Sequence, residues 1–299
     1  MKNIIVLILS SVFLFLSCGK NYEQKGSEKY IKEVQEWDRK RVESLKKDNG
    51  WLNLVGLYWL EEGENTFGSD KSNNIIFPSN AAPAMGSFTL IDSVITVRIN
   101  DEVEVLIDSQ LVKEAKLKSD IEEGTTIMSY NSLQWYAIVR EGGKFGIRLR
   151  DLEAPLVKHF EGIERFPIND DWKIEAKWIP LDPPYELVIP NIIGTKSEAK
   201  AYGRLDFEIE NKTYSLYPTG RESLFLIFAD QTSGVETYGA GRFLSAEGPD
   251  SNNVVVIDFN KAYNPPCAFT KFATCPLPPK ENQLKVEITA GEKNYGEGH

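Results

Sequence analysis

Residues 87–99 have the sequence SFTLIDSVITVRI, and this stretch decides the class of fold. Two apolar, β-branched runs flank Asp92 and Ser93. A two-residue polar turn between such runs predicts a β-hairpin. Residues 133–140 and 145–150 form a second such pair of runs around a Glu-Gly-Gly-Lys turn. Because strands follow strands without helical crossovers, we expect mainly antiparallel sheets.

The same pattern continues along the chain and predicts a mainly β protein. We expect an antiparallel sandwich or barrel-like body, with two β subdomains and one N-terminal helix. Asp182-Pro-Pro and residues 191–201 are candidate linkers. Further strands are predicted at Trp172–Trp178, Tyr185–Ile189, Arg204–Ile209, Thr213–Tyr217, Leu224–Phe228, Gly241–Ser245, Val254–Phe259 and Leu284–Thr289.

The helix is predicted over residues 28–47, where Ile31, Val34 and Trp37 fall near one face. Asn49-Gly50 is a natural stop for it, and an extended tether is the alternative. The predicted organisation is a signal peptide at 1–17, a lipid-anchored tether at 18–27, the helix region at 28–49, a β-sandwich at 50–165 and a C-terminal β domain at 166–299.

The first residues indicate export. Lys2 precedes an apolar run from Ile4 to Leu16, which is shorter than the ~20 residues of a membrane helix and is typical of a signal peptide. Phe-Leu-Ser-Cys-Gly at 15–19 resembles the lipobox of bacterial lipoproteins, in which the Cys is acylated. An ordinary secretory peptide with an incidental Cys is the alternative. We expect lipidation of Cys18, and a lipid-anchored protein of the bacterial cell envelope, in the periplasm or on the cell surface.

Charge and composition exclude several classes of function. The net charge of −10 at pH 7, without a long basic cluster, argues against a nucleic-acid partner. His159 and His299 are the only histidines, so the sequence predicts no metal site, and any Ser–His or Cys–His mechanism would have to use His159. No motif predicts a cofactor.

A Gly-Ser-Asp turn at 68–70, followed by Asn74 and an apolar run, resembles the start of forkhead-associated domains. Those domains read phosphothreonine through an Arg after the Gly and a later Ser and His. Here Ser69 follows Gly68 and no His is near, so we expect a structural turn in a β-sandwich.

Residues 228–243 place polar side chains around three glycines, and glycine permits close approach of the backbone to a ligand. If 236–242 is extended, Glu236, Tyr238 and Arg242 share one face. They then either hold a polar ligand or complete a hairpin network. The candidate ligand-binding residues of this stretch are Asp230, Thr232, Thr237, Tyr238 and Arg242, and Glu236 is a candidate catalytic carboxylate.

Residues 258–282 form a long loop, stiffened by prolines, after a buried-looking strand. Asp258 is the second candidate catalytic carboxylate, and Asn260, Tyr263 and Asn264 are candidate ligand-binding residues. Cys267 and Cys275 stand in the same loop, where a disulfide, two buried thiols and a reactive thiol remain open.

The stretches 56–70, 232–244 and 258–293 resemble the bacterial family called domain of unknown function 1684. The resemblance implies no activity. It implies that the stretches around Glu236 and Asp258 belong to one site, and that both cysteines belong to the family pattern.

Two functions from different classes follow. In the first, the polar residues converge in a C-terminal pocket for a small polar ligand, and Glu236 and Asp258 act as acid and base if the protein is a hydrolase. In the second, the same residues are internal networks of a non-catalytic structural or protein-interaction lipoprotein. The sequence leaves open whether the protein is an enzyme.

Overall fold

A computed structural model describes residues 22–296. The leader, Cys18 and the first part of the predicted tether lie outside these residues. The chain order is α1 Glu28–Lys46, β1 Leu54–Trp59, β2 Gly63–Gly68, β3 Ile75–Ile76, β4 Gly86–Ile91, β5 Val94–Ile99, β6 Val105–Ile107, β7 Gln110–Val112, β8 Glu114–Leu117, β9 Met128–Tyr130, β10 Leu133–Arg140, β11 Lys144–Asp151, α2 Pro155–His159, β12 Lys173–Pro190, β13 Lys196–Ile209, β14 Lys212–Leu216, β15 Ser223–Phe228, β16 Arg242–Glu247 and β17 Val254–Asp258.

Helix α1 confirms the predicted N-terminal helix. Ser27 caps it by accepting a hydrogen bond from the backbone N–H of Tyr30. Its buried side chains are Tyr30, Val34 and Leu45, which lie on the face toward the rest of the protein.

Both predicted hairpins are present. In the first, Ile91 pairs with Val94, and Asp92 and Ser93 have φ angles of 49° and 65°. Positive φ at both turn residues is the geometry whose twist matches that of the flanking strands. In the second, β10 pairs with β11 from Leu133–Asp151 to Arg140–Lys144.

Two sheets stack in the first half of the chain. One has the order β1-β11-β10-β9-β6-β7 and the other β3-β2-β4-β5-β8, with every pair antiparallel except β2 and β3. Their facing sides share one apolar cluster that contains Phe67, Phe88 and Trp135. The rings of Phe67 and Phe88 stack with centroids 4.3 Å apart. Alternating apolar residues from both sheets therefore build a sandwich core.

The Gly68 turn is structural, as expected. Ser69 donates its hydroxyl to the Ala81 carbonyl at 2.9 Å, and Asp70 accepts the backbone N–H and the hydroxyl of Ser72. The polar side chains of the turn are thus bonded within the turn and to its neighbouring loop.

The second half has a four-stranded sheet, β14-β13-β12-β17, and the pair β15-β16. They enclose a second cluster that includes Leu205, Phe228, Ile257 and Phe259. The two candidate linkers are not loops. Asp182-Pro-Pro lies within β12, beside a register shift between Pro180 and Tyr185, and most of 191–201 lies in β13.

A third apolar cluster joins the two halves. It unites Leu45 of α1, Leu52, Phe160 and Tyr238 with the proline- and cysteine-rich loop around Cys267 and Phe269. The loop is therefore packed on both sides instead of extending into solvent. No helix in the described part of the chain is long and apolar enough to cross a membrane.

Candidate functional site

A buried ion pair lies at the centre of the region around the predicted site. Asp230 follows the end of β15 and Arg242 begins β16, and Arg242 Nη2 lies 2.8 Å from Asp230 Oδ2 with both side chains fully buried. Asp230 Oδ1 also accepts the backbone N–H and the hydroxyl of Thr232, at 2.8 and 2.6 Å. The Thr232 hydroxyl lies 2.9 Å from that of Thr237. We call Asp230, Thr232, Thr237 and Arg242 the Asp230 network.

The Asp230 network explains why one predicted strand is absent. Arg242 donates to the carbonyls of Ile288 and Ala290, and Asp230 accepts the Ile288 N–H at 3.2 Å. These side chains bond both backbone groups of Ile288, while Leu284 and Val286 bond the backbone of Ala229 and Gln231, and residues 284–289 form no strand. Burial lowers the pKa of Arg242, and Asp230 opposes that shift.

The stretch from Thr232 to Tyr238 is a compact turn, which corrects the predicted extended backbone. The N–H groups of Glu236 and Thr237 both donate to the Thr232 carbonyl. Glu236 consequently does not share a face with Arg242, and its carboxylate accepts the Tyr22 hydroxyl at 2.8 and 2.9 Å. Tyr238 packs in the third apolar cluster.

Asp258 belongs to a separate network at the end of β17. Its Oδ1 accepts the Tyr30 hydroxyl of α1 at 2.8 Å and the N–H groups of Asn260 at 3.2 Å. Asn260 in turn bonds the backbone of Asn169 in both directions, at 3.0 and 2.8 Å. Burial, with a second contribution from Asp258, raises the pKa of Tyr30. This Tyr30–Asp258 network fastens α1 to the C-terminal half.

Asn264 and Tyr263 lie in a third group, around Glu292. Glu292 is fully buried, accepts the Asn264 N–H at 2.6 Å and faces Arg41 Nε at 3.3 Å. The Arg41 guanidinium also lies 4.7 Å from the centre of the Tyr263 ring. Arg41 and Glu292 were missed in the sequence, although Glu292 lies within the quoted stretch 258–293.

Gly291 lets Glu292 reach this position. It has a φ of 79°, and a Cβ there would lie 2.5 Å from the Ala262 carbonyl oxygen. Only glycine fits this close approach, after which the Glu292 N–H bonds the same carbonyl at 2.9 Å.

The cysteine loop is closed by a disulfide between Cys267 and Cys275, whose Cα atoms lie 6.2 Å apart. The neighbouring Thr274 accepts hydrogen bonds from Arg140 and Arg148 of the first half, at 2.9 and 3.2 Å. The loop therefore presents its polar side chain to the six-stranded sheet.

An open cleft of about 390 Å³ lies beside these networks. Tyr22, which holds Glu236, forms one wall, and the aromatic residues Trp172 and Tyr214 contribute to the lining together with Gln231. We call it the Tyr22 cleft. Its other lining residues are Ile209, Glu210, Lys212, Lys285, Val286, Glu287 and Thr289.

None of the ten predicted catalytic and ligand-binding residues lines the Tyr22 cleft. The structure distributes eight of them among three neighbouring groups, in which most are buried, whereas Glu236 bonds Tyr22 and Tyr238 packs in the third apolar cluster. Within the described range, His, Cys, Asp and Glu side chains do not form a group of three that could hold a metal ion.

Residues 158–293 match the family described as protein of unknown function (DUF1684). The match confirms the resemblance to this family, over a shorter range than predicted, since the stretch 56–70 lies outside it. No curated protein matches the chain. The chain is 27% identical to an uncharacterized protein from gene locus rrnAC0354 of Haloarcula marismortui, whose solution NMR structure aligns with 47% of this chain and 80% of that one, with a TM-score of 0.39.

The DUF1684 range contains most of the residues in these groups but not all of them. Asp230, Arg242, Asp258 and Glu292 lie inside it, whereas Tyr22, Tyr30 and Arg41 come from the N-terminal segment and α1. The buried polar interior of the DUF1684 region is therefore completed by residues that precede it by more than a hundred positions.

Proposed function

We propose that this protein is a lipoprotein of the bacterial cell envelope that binds a small polar ligand in the Tyr22 cleft. The observation that carries the binding proposal is the composition of this cleft. Three aromatic residues and the amide side chain of Gln231 accompany two lysines and two glutamates. Such balanced charge favours a neutral ligand rich in hydroxyl groups, because rings can stack on its C–H faces while polar groups bond its hydroxyls.

Lipid anchoring rests on the leader and on the lipobox-like sequence before Cys18. Cys18 and Tyr22 are four residues apart, a span of at most about 14 Å even when fully extended. A lipid on Cys18 would keep the cleft close to the membrane surface, where envelope saccharides are available.

The proposal is binding without hydrolysis. Asp258 has one oxygen bonded to three donor groups and is almost fully buried, while Glu236 is held by Tyr22. A general acid or base must reach the proton it transfers, and these contacts oppose such access. The two carboxylates are better suited to a structural role, in which Asp258 holds Tyr30 and Asn260, and Glu236 holds Tyr22.

A structural role is the second function that the geometry supports. The Tyr30–Asp258 network and the Glu292 group join α1 to the DUF1684 region, and the Asp230 network lies within that region. Ligand binding and the structural role then belong to different parts of the protein. The networks are structural, and the neighbouring cleft binds.

Binding is tested by calorimetric titration of the full chain in detergent with chitotriose and maltotriose. We expect at least one saccharide to bind, and Trp172→Ala to weaken it about tenfold through lost ring stacking. Trp59→Ala is the matched control, because Trp59 lies on β1 in the other half. Gln231→Ala removes an exposed side chain without touching the core. It should also weaken binding, because its amide lines the cleft. Absence of binding by both saccharides, or wild-type affinity in both Trp172→Ala and Gln231→Ala, would contradict the proposal.

Anchoring is tested separately by growing cells with labelled palmitate. The wild type should take up the label, and Cys18→Ala should not. Equal labelling of both proteins would show that Cys18 is not the acylated residue.

A further inference from the structure

Three arginines project from the side of the six-stranded sheet that faces away from the sandwich core. Arg148 and Arg150 alternate along β11 with Ile147 and Leu149, which belong to the core cluster. Arg140 lies on the neighbouring strand β10, four residue pairs beyond the Tyr136–Arg148 pair and therefore on the same side of the sheet. The three side chains consequently share one surface, and we call Arg140, Arg148 and Arg150 the arginine face.

The arginine face has few negative partners. Arg140 Nη1 lies 2.7 Å from Asp120 Oδ2, and this is the one carboxylate within ion-pair distance of any of the three in residues 22–296. Arg150 donates to the Gly50 carbonyl, to Asn53 Oδ1 at 2.7 Å and to the Tyr136 hydroxyl at 3.1 Å. These acceptors are neutral and leave the charge uncompensated.

Arg148 is the least satisfied of the three. Its side chain donates to the Thr274 hydroxyl at 3.2 Å and lies 5.8 Å from the centre of the Trp51 ring. Its Nε is buried without a hydrogen-bond partner. The residue is 3% exposed, and burial lowers the pKa of its guanidinium.

A buried cation without a counter-ion costs free energy, because the protein interior solvates charge less well than water does. For the stability of the fold, a methionine at position 148 would serve as well as the arginine. A group that is expensive for folding and held rigidly is characteristic of a binding site.

An open cleft of about 300 Å³ borders this surface at Arg150, whereas Arg140 and Arg148 lie behind it and do not line it. Arg150, Gln134 and Tyr136 line it from the sheet, and Thr125 and Ile127 line it from the loop before β9. Ile127 and the Tyr136 ring give the cleft an apolar wall next to its cationic end. Asp48 and Asp120 also line it; Asp120 is paired with Arg140, and the two carboxylates repel a dianion more strongly than a monoanion.

We propose that this cleft binds a small organic monocarboxylate, with the carboxylate at Arg150, beside the buried Arg148 on the same face of β11, and its apolar body against Ile127 and Tyr136. A guanidinium presents parallel N–H groups that match the two oxygens of a carboxylate. The apolar wall accounts for the body of the ligand, and the two aspartates disfavour dianions such as phosphate. This site is distinct from the Tyr22 cleft and does not depend on it.

The experiment uses the full chain and four probes, which are hexanoate, acetate, 1-hexanol and inorganic phosphate. Hexanoate is expected to bind with about millimolar affinity, which is reasonable for a ligand of its size. 1-Hexanol lacks the charge and acetate lacks the apolar body, so each should bind at least about tenfold more weakly. Phosphate binding that equals or exceeds that of hexanoate would overturn the assignment of the ligand.

Arg148→Met should weaken hexanoate about tenfold by removing one desolvated positive charge. It should leave the Tm of the free protein unchanged or higher, whereas a purely structural arginine would lower the Tm when removed. Arg98→Met is the matched control, since Arg98 is exposed on β5 and should change neither property. A lower Tm together with unchanged hexanoate affinity would overturn the proposal.

Ile127→Asp tests the site without altering any arginine. Ile127 is half exposed, so the substitution should leave the fold intact while placing a negative charge on the cleft wall. Hexanoate binding should fall about tenfold or more, and the same substitution at exposed Ile91 should have no effect. If hexanoate fails to bind the wild type, or binds Ile127→Asp equally well, the arginine face is not a carboxylate site.

Discussion

Arg242 and Arg148 are both almost completely buried, yet their surroundings differ. Arg242 faces Asp230 and donates to backbone carbonyls, so its charge is paired and its neighbours depend on it. Arg148 has hydroxyl and aromatic neighbours and no carboxylate within ion-pair distance. Burial of an arginine therefore indicates a structural role only when the partners of its charge are also present.

The largest effect is expected from Arg242→Met. It leaves the Asp230 carboxylate buried without its cation, which should reduce the free energy of unfolding by about 3–5 kcal/mol. Urea denaturation of the two matched variants, Arg242→Met and Arg148→Met, measures the difference directly. Similar losses in both variants would remove the distinction between the Asp230 network and the arginine face.

The disulfide lies beside the arginine face, because Cys275 follows Thr274 and Thr274 contacts Arg140 and Arg148. Replacing both Cys267 and Cys275 by Ser should lower the free energy of unfolding by about 2–3 kcal/mol. A reductant should destabilise the wild type in urea titrations and leave the double variant unchanged. If the reductant has no effect on the wild type, the cysteines do not form a stabilising disulfide.

The Tyr30–Asp258 network should respond to removal of one hydroxyl. Tyr30→Phe deprives Asp258 of a buried donor and should cost about 1–2 kcal/mol. Hydrogen exchange of the α1 amides should accelerate, because Tyr30 fastens this helix to the end of β17. Tyr185→Phe is the control, since that hydroxyl bonds Glu281 at an exposed position. Unchanged exchange in α1 would mean that other contacts hold the helix.

The smallest effect concerns pH. Burial raises the pKa of Glu292 above its usual value near 4.5, while Arg41 opposes the shift. The folded state therefore holds this proton more tightly than the unfolded state does. The resulting stabilisation is complete below about pH 4.5 and is lost as the pH rises through the folded-state pKa.

Glu292→Gln removes this titration. The free energy of unfolding of the wild type, relative to that of Glu292→Gln, should fall as the pH rises through this range. Urea midpoints at several pH values measure the difference. A difference that does not change with pH would show that Glu292 has the same pKa in both states.

Local sequence patterns predicted α1 and both hairpins because their signals are contained in a few adjacent residues. The Asp92-Ser93 turn and the spacing of Val34 and Leu45 are such signals. The predicted strand at 284–289 is wrong for a different reason. That segment has the alternation of a strand, but its backbone groups bond Asp230, Arg242 and the backbone beside Asp230. No local pattern reveals partners more than forty positions away.

In the candidate site, too, some features follow from local sequence and others depend on distant residues. The polar residues of 230–264 could be recognised from their density, but their division into three separate groups depends on Tyr30, Arg41 and Glu292 from distant positions. The arginine face was not recognised at all. Arginines at alternate positions of a strand are typical of a solvated face, and only the packing of the cysteine loop against that face reveals that they are buried.

The sequence by itself determined the mainly β class, the N-terminal helix and the resemblance to the DUF1684 family, because periodicity, turns and motifs are properties of neighbouring residues. Only the tertiary structure decided which charges are paired. Asp230 and Arg242 meet across the β15–β16 pair, whereas Arg148 meets Thr274 and Trp51. Electrostatic energy depends on distance and burial in space, and these are fixed by the packing of elements that lie far apart along the chain.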